Sequence, residues 1–441
     1  MAKKRFKNVL RDMMQEHRII EAVEGVRESI KNSDASAYLK GKRLRQVADT
    51  NKMVEEALKR LSNKNYIPSD YSVFTIVENG KTRLIEACCD PVDKVIQKAI
   101  TNELKRMLEP MLYYHSLCNV KGRGIQAGCD YIKKIIRREE LIEKGIKEET
   151  GKTYKKAISN IGKMDVRHYY ENINKELLLH KLSKKISDAH FLNLLSKFIY
   201  KYKNGLGLGG GMCAVLANFY LKDVDEYILH SIKKKAGNSV QGKRLRGGYY
   251  IRYMDDIVVF CTSKGTLHKI INHLKDILLP SLNLELKKNY YVAPFNPKDG
   301  VSYDKVRRLD FLGYTFNPKN THIRKRTKFN IITKIRKLKK VGLKNAPDNL
   351  LRSLASLWGY IKNSDSYYII RKYYSSYAGL IGDIRHEMKR RRNKRSVNKI
   401  KKFKKVIVNI VKSPINKISS FFKVENGSNK VLINENDIII S

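Results

Sequence analysis

The segment Gly248-Tyr249-Tyr250-Ile251-Arg252-Tyr253-Met254-Asp255-Asp256-Ile257-Val258-Val259-Phe260-Cys261 carries the reading on which the fold turns. Two runs rich in aromatic and β-branched residues flank Met254-Asp255-Asp256, so a β-hairpin is predicted with those three residues at its turn. Adjacent carboxylates at a tight turn repel each other unless a metal or a cation compensates them. Nucleotidyl transfer uses such groups, because carboxylate oxygens hold two divalent ions about 4 Å apart, one at the attacking hydroxyl and one at the triphosphate and leaving group. Magnesium takes oxygen ligands. Taken alone, an Asp-Asp pair is equally at home in an ordinary surface turn, so its surroundings matter.

Upstream of the hairpin, an apparent strand ends at Asp165, and a polar, charged stretch from Arg137 to Lys156 precedes it with the composition of an exposed connection or flexible helix, an insertion. A helix is expected from about Lys175 to Tyr202, glycines crowd 205 to 211, and a second helix is expected from Met212 to Ile232. Tyr71 to Leu84 alternates like a strand pair around Glu78-Asn79-Gly80, and a helix begins at Pro91 and runs to about Leu108. Apolar residues recur at helical spacing through residues 5 to 62, and again beyond Arg324 through Ile331, Ile335 and Leu338, then from Leu350 to Tyr374. The expected class is α+β.

Lysine and arginine total 90 against 43 acidic residues, a formal charge of +47 that surface ion pairs cannot absorb, so a polyanionic partner is expected. A membrane surface would attract the same sign of charge. No apolar run is long enough to span a bilayer and Met1-Ala2-Lys3-Lys4-Arg5-Phe6 leads into no apolar signal core, so no membrane partner and a cytoplasmic location are expected. The six cysteines lack paired CxxC spacing and read as reduced core thiols. From Arg385 to Lys405, twelve of twenty-one positions are lysine or arginine, which fits either a solubilising tail or an added RNA contact.

Tyr253-Met254-Asp255-Asp256 resembles the signature of the reverse transcriptase palm, and Asp165-Val166-Arg167-His168-Tyr169-Tyr170-Glu171-Asn172-Ile173 is similar to that family's first catalytic motif, in the family's order. The resemblance implies that Asp165 and Asp255 are the principal metal ligands, with Asp256 an auxiliary carboxylate and the Val166 carbonyl a further ligand, for two Mg2+ ions or, alternatively, Mn2+. Tyr170 matches the steric gate, whose ring would clash with a 2′-hydroxyl. Gly205 to Leu221 resembles the glycine-rich loop and the helix after it, in which Leu208 and Gly209 would face the nucleotide. Here the chain departs from the pattern: Gly207-Leu208-Gly209 stands where proline-glutamine-glycine is common, and Cys213-Ala214 where serine-proline is common. Leu208 cannot make glutamine's polar contacts. A hydrophobic residue there resembles the enzymes of diversity-generating retroelements and implies reduced fidelity.

Gly80-Lys81-Thr82-Arg83-Leu84 resembles the fingers motif and Lys121-Gly122-Arg123-Gly124 the next block, so Arg83 and Arg123, ahead of Lys81 and Lys121, are expected to meet the triphosphate. Leu284-Glu285-Leu286-Lys287-Lys288 looks like the region that holds the acid for pyrophosphate departure, with Lys288 preferred to Lys287. Leu309 to Tyr314 matches the primer grip, and Leu354 to Tyr367 is similar to the thumb of group II intron-like and diversity-generating enzymes. The implied architecture is a right-hand polymerase: an N-terminal helical extension (1–65), fingers (66–160), a palm of antiparallel sheet plus helices with embedded fingers elements (161–318), a helical thumb (319–384) and a basic C-terminal extension (385–441). Its partners would be an RNA template, a DNA or RNA primer and deoxynucleotide triphosphates. The implied settings are a diversity-generating retroelement with an accessory protein and structured RNA, antiphage defence with a noncoding RNA, or an intron-derived role. The alternative is a nucleic-acid-binding assembly protein that keeps the fold and polymerises little.

Overall fold

The computed structural model describes residues 5–391 except 34, 79, 152–153, 209, 234–238, 241–242, 245–246, 297–305, 367 and 369–378, together with 393, 422–423 and 432–433. Gly209, Asn79 of the expected turn and most of the basic run past Arg391 therefore lie outside the described residues. The chain divides into two compact units, Met1–Thr321 and His322–Ser441.

Four helices open the first unit: α1 (Val9–Met13), α2 (Glu16–Asn32), α3 (Ala37–Gln46) and α4 (Thr50–Ser62). A hairpin of β1 (Ser72–Glu78) and β2 (Lys81–Ala87) leads to α5 (Pro91–Leu108). The Asp90 carboxylate caps α5 by accepting from the Asp93 N–H, and Pro91 sits where a missing N–H costs nothing. Asp93 is buried and satisfied by Arg60 (2.5 Å), the Tyr66 hydroxyl (2.6 Å) and the Ser69 N–H (2.7 Å), which fastens α4 to α5.

After α5 come β3 (Ser116–Leu117), α6 (Ile125–Thr150), β4 (Asn160–Asp165) and the short α7 (Tyr169–Asn172). Of the stretch expected as an exposed connection or flexible helix, Arg137 to Thr150 is helical, the second half of α6, with Glu139, Ile142 and Gly145 buried. Ile132, Ile135 and Ile136 of the first half and Ile142 of the second lie on buried positions of α6, and the buried Glu139 carboxylate accepts from the Tyr249 hydroxyl and the Ala157 N–H, each at 2.6 Å. A Cβ at Gly128 would lie 2.3 Å from a Leu312 methyl and 2.5 Å from a Leu117 methyl, so any larger residue there would make those side chains shift.

The helix expected from Lys175 to Tyr202 is two helices, α8 (Lys175–Ser183) and α9 (Ala189–Ile199). Tertiary contacts break it: Asp188 caps α9 through the Phe191 N–H at 3.0 Å, while its other oxygen accepts from the Leu10 N–H at 2.9 Å. The next helix is likewise divided, into α10 (Gly211–Tyr220), almost wholly buried, and α11 (Lys222–Ser231), which is amphipathic. A small hairpin, β5 (Ser239–Val240) and β6 (Lys243–Arg244), precedes β7 (Gly248–Tyr253) and β8 (Asp256–Cys261). Then follow α12 (Lys264–His273), a π-helical turn at Leu274–Leu278, α13 (Leu279–Ser281), β9 (Tyr291–Pro294), β10 (Leu309–Phe311) and β11 (Tyr314–Phe316). Leu312 and Gly313 both have positive φ (54° and 83°) in the two-residue turn between β10 and β11, the backbone such hairpins need.

Five strands form the central sheet in the order β3-β7-β8-β4-β9, with β3 parallel to β7 and the other pairs antiparallel. Its middle strands are buried on both faces, which explains the unbroken apolar runs of Tyr249–Ile251 and Ile257–Phe260.

A strand β12 (Thr321–Ile323) spans the division between the units. In the second unit, α14 (Lys325–Val341) and α15 (Asp348–Lys362) contribute Ile331, Ile335 and Leu338, and Leu350, Leu351 and Leu354, to one apolar cluster. Residues 379–391 are helical, and the Arg391 guanidinium donates to Glu387, Asp348 and the carbonyls of Leu343, Lys344 and Ala346. Part of the basic run is thus folded against the α14–α15 loop. Among the described residues no helix is long and apolar enough to cross a membrane.

Candidate active site

Two strand ends and one turn build the site. In the register of β4 and β8, Asp165 stands directly opposite Asp256, and Asp255 occupies the turn between β7 and β8. Met254 enters that turn at φ 54°, a left-handed conformation that disfavours any side chain. The Asp255 carbonyl accepts from the Val166 N–H at 3.3 Å, tying the turn to the residue after Asp165. Burial, and then the neighbouring Asp165 carboxylate, push the Asp255 carboxyl up to about 7, with Lys287 pulling partly the other way. Two half-buried carboxylates therefore converge without enough compensating charge.

Lys287 supplies what compensation there is. Its Nζ lies 2.6 Å from Asp165 Oδ1, and its N–H donates to the Asp165 carbonyl at 2.8 Å. Of the two neighbours it is Lys287, rather than the preferred Lys288, that stands at the carboxylates. An isolated antiparallel bridge pairs Val166 with Leu286 and sets the alternation, so Lys287 turns to the carboxylates and Lys288 stands exposed. Asp256 Oδ2 lies 3.3 Å from Lys163 Nζ, and that ammonium also donates to the Asp310 carbonyl at 2.6 Å. The third carboxylate is thereby linked to β10.

Tyr170 lies beside the turn, its hydroxyl 3.9 Å from Met254 Sδ, and its carbonyl accepts from the Leu206 N–H at 2.8 Å. At Gly205 (φ 47°) a Cβ would meet the Tyr170 carbonyl oxygen at 2.1 Å, and at Gly207 it would meet the Tyr202 ring at 2.2 Å. These two glycines let the loop pack on Tyr170 and Tyr202, where the sequence alone suggested approach to a nucleotide. Leu208 is half-buried next to them.

The expected triphosphate contacts are spread out. Arg83 is exposed on β2, and the Lys81 backbone lies on the same strand. Arg123 donates to the Tyr113 carbonyl at 3.4 Å and stacks over Tyr114, in the wall of a cavity of about 550 Å3 that Tyr131, Lys134, Arg138 and Tyr249 also line.

Sequence reasoning missed a buried network beneath the turn. Arg252, fully buried, pairs with Asp225 of α11 through two 2.7 Å bonds and reaches Ser116, Asn218 and the Met254 carbonyl. One signal was available: a lone arginine inside an apolar strand requires a carboxylate partner.

Residues 67–316 match the family profile described as reverse transcriptase (RNA-dependent DNA polymerase), more than half of the chain. The chain belongs to the reverse transcriptase family. Among solved structures, the apo telomerase of Candida tropicalis truncated from its C-terminal domain aligns at 11% identity and a TM-score of 0.37, covering 58% of this chain and 55% of that one. The chain thus spans little more than half of that telomerase chain. No curated protein matches it. Membership in this family directs attention to divalent ions. Among the described residues no group of three His, Cys, Asp or Glu side chains is arranged to hold a metal ion. What the site offers is Asp165 and Asp255 face to face, with the Lys287 ammonium beside them as the present counter-charge. Such an oxygen-only pair with unrelieved like charge suits Mg2+.

Proposed function

We propose that this member of the reverse transcriptase family is an RNA-directed DNA polymerase whose catalytic carboxylates are Asp165 and Asp255, with Asp256 auxiliary. The observation that carries the reading is the convergence of those two carboxylates at a strained turn, at a cost that raises the Asp255 carboxyl to about 7. Asp165, Asp255 and the Val166 carbonyl would hold Mg2+, or Mn2+ in its place. When bound, two such ions would stabilise the negative charge that develops on the attacking hydroxyl and on the departing pyrophosphate. Lys287, whose ammonium stands at the carboxylates, would donate a proton to that pyrophosphate. Tyr170, packed on the turn and on the glycine loop, would exclude a 2′-hydroxyl and so select deoxynucleotides.

In this reading the central sheet is the palm, the β1–β2 hairpin belongs to the fingers, and the helices from Lys325 onward form the thumb. Primer and RNA template would occupy the basic surface in the cytoplasm, consistent with the charge of +47. Leu208 in place of the common glutamine favours an error-prone enzyme, as in a diversity-generating retroelement, and an antiphage system with a noncoding RNA remains the other setting. The test is primer extension on an RNA template with Mg2+ by the purified full-length chain. Incorporation that Asp255→Ala abolishes supports the reading, while no incorporation with its own copurifying RNA would point to a binding and assembly role.

A further inference from the structure

Asp255 can serve only if its carboxylate faces Asp165, and the backbone that aims it is unfavourable, since Met254 before it sits at φ 54°. A residue between two planar peptide units is oriented when both planes are held. The plane after Asp255 is held through its carbonyl, which accepts from the Val166 N–H at 3.3 Å. The plane before it contains the Met254 carbonyl and the Asp255 N–H, and that carbonyl accepts from Arg252 Nη1 at 2.9 Å.

Arg252 is itself immobilised. Its Nε and Nη2 each lie 2.7 Å from a different oxygen of Asp225, Nη2 also reaches Ser116 Oγ at 3.2 Å and the Asn218 carbonyl at 3.3 Å, and Nη1 reaches Asn218 Oδ1 at 3.3 Å. Asp225 in turn accepts from the Ser116 hydroxyl at 2.8 Å and the Tyr250 hydroxyl at 2.5 Å. Contacts from β3, α10, α11 and β7 therefore converge on one guanidinium that ends on the catalytic turn. A buried ion pair gains little stability over apolar packing of equal volume, so its presence here calls for a positional role. Lysine could keep the charge but has three donors on one atom and cannot bridge Asp225, Asn218 and Met254 in a plane.

We propose that Arg252, held by Asp225, is a positioning residue: it fixes the peptide plane that precedes Asp255 and thereby keeps the Asp255 carboxylate aimed at Asp165 for a divalent cation. This rests on the polymerase reading above, and the test separates the two. Tyrosine-sensitised terbium luminescence reports cation binding without any need for catalysis, with Tyr170 and Tyr253 close to the turn and Asp255→Asn defining the signal that belongs to the site. Primer extension, with Mg2+ and deoxynucleotide titrations, runs on the same full-length preparations.

For Arg252→Lys the expected result is a terbium affinity weakened by about tenfold, a kcat lowered by about ten- to a hundredfold and a deoxynucleotide KM within about twofold of wild type. Raising Mg2+ should recover part of the lost rate. Tyr250→Phe removes only one hydroxyl from Asp225 and serves if Arg252→Lys does not fold; it should weaken terbium binding by about two- to threefold. Wild-type terbium affinity and Mg2+ dependence in a folded Arg252→Lys protein would overturn the proposal, as would an unchanged affinity in Tyr250→Phe where the lysine variant is lost. A wild-type chain that binds terbium through Asp255 yet extends no primer would defeat the polymerase reading alone.

Discussion

Among the described residues, two long antiparallel hairpins, β1–β2 and β7–β8, look alike in composition and differ in almost everything else. Both carry β-branched and aromatic residues on successive positions: Val73, Phe74, Ile76 and Val77 in one, Tyr249 to Ile251 and Ile257 to Phe260 in the other. The second is buried on both faces, flanked by β3 and β4 and covered by α6, α10 and α11. The first pairs only with itself, and Phe74 and Val77 remain 49% and 76% exposed. Apolar strand composition therefore states that a segment will form a strand, and the helices that follow decide whether it becomes a rigid foundation. The buried hairpin can hold a strained turn with two carboxylates at its tip because everything around it is fixed. The exposed hairpin is tied to the rest of the unit more lightly, for instance where Glu86 accepts from the Lys203 N–H at 3.0 Å.

The comparison is sharpened most by removing a tip carboxylate. Asp255→Asn should lower primer extension by about a thousandfold or more, since it removes a ligand of the ions that would stabilise the developing charge, a contribution worth several kcal/mol. Its metal-free melting temperature at pH 8 should not fall, because the substitution removes a like charge facing Asp165. A variant that retained rapid extension would end the assignment of Asp255.

Truncating the two hairpins at comparable aromatic positions should then give unequal costs. Phe260→Ala opens a cavity under fully covered strands and should cost about 3–5 kcal/mol in urea unfolding. Phe74→Ala, half exposed on a two-stranded ribbon, should cost about 1 kcal/mol or less. Equal losses would mean that the outer hairpin is as structural as the inner one.

A smaller effect follows from titration of the inner turn. The folded Asp255 carboxyl sits at about 7 against an ordinary value of 3.8. Below about 4 both folded and unfolded chains hold its proton; between the two values the folded chain holds it and the unfolded chain has lost it. Its contribution to stability is therefore present at low pH and declines as pH rises to about 7. Thermal unfolding in EDTA should show wild type losing stability relative to Asp255→Asn from pH 5 to pH 8, and Mg2+ should diminish that loss. A difference that stays flat across this window would contradict the strained like-charge pair.

How much of this was legible in the sequence divides along the same line. The hairpin of 248–261, the strand ending at Asp165, the strand pair (expected over Tyr71 to Leu84, found as Ser72–Glu78 and Lys81–Ala87) and the helix from Pro91 to Leu108 all follow from local signals: apolar runs, a turn and a capped start with proline. What local signals could not give were partners. The break between α8 and α9 depends on Asp188 reaching Leu10, 178 residues away in sequence, and the burial of α6 depends on Glu139 meeting Tyr249. Lys287 and Lys288 are neighbours of one type, so only the pairing of Val166 with Leu286 separates them. Arg252 was visible as a charge in an apolar strand, but Asp225 as its partner was not.

The smallest expected effect tests the exposed hairpin by itself. Replacing Phe74 and Val77 together with threonine keeps β propensity while removing apolar surface, and the two residues have little burial to lose. Stability should change by about 0.5–1 kcal/mol. If this hairpin acts as part of the fingers, its contribution is made against template or incoming nucleotide, so the KM for deoxynucleotide on an RNA template should rise while kcat changes little, the reverse of the pattern expected from Arg252→Lys. The two variants thus divide the work between the hairpins: one changes how substrate is held, the other how the carboxylates are aimed. A fall in kcat with no change in KM for the threonine pair would show that the outer hairpin also takes part in aligning the inner site, and the contrast between a rigid foundation and a free ribbon would no longer hold.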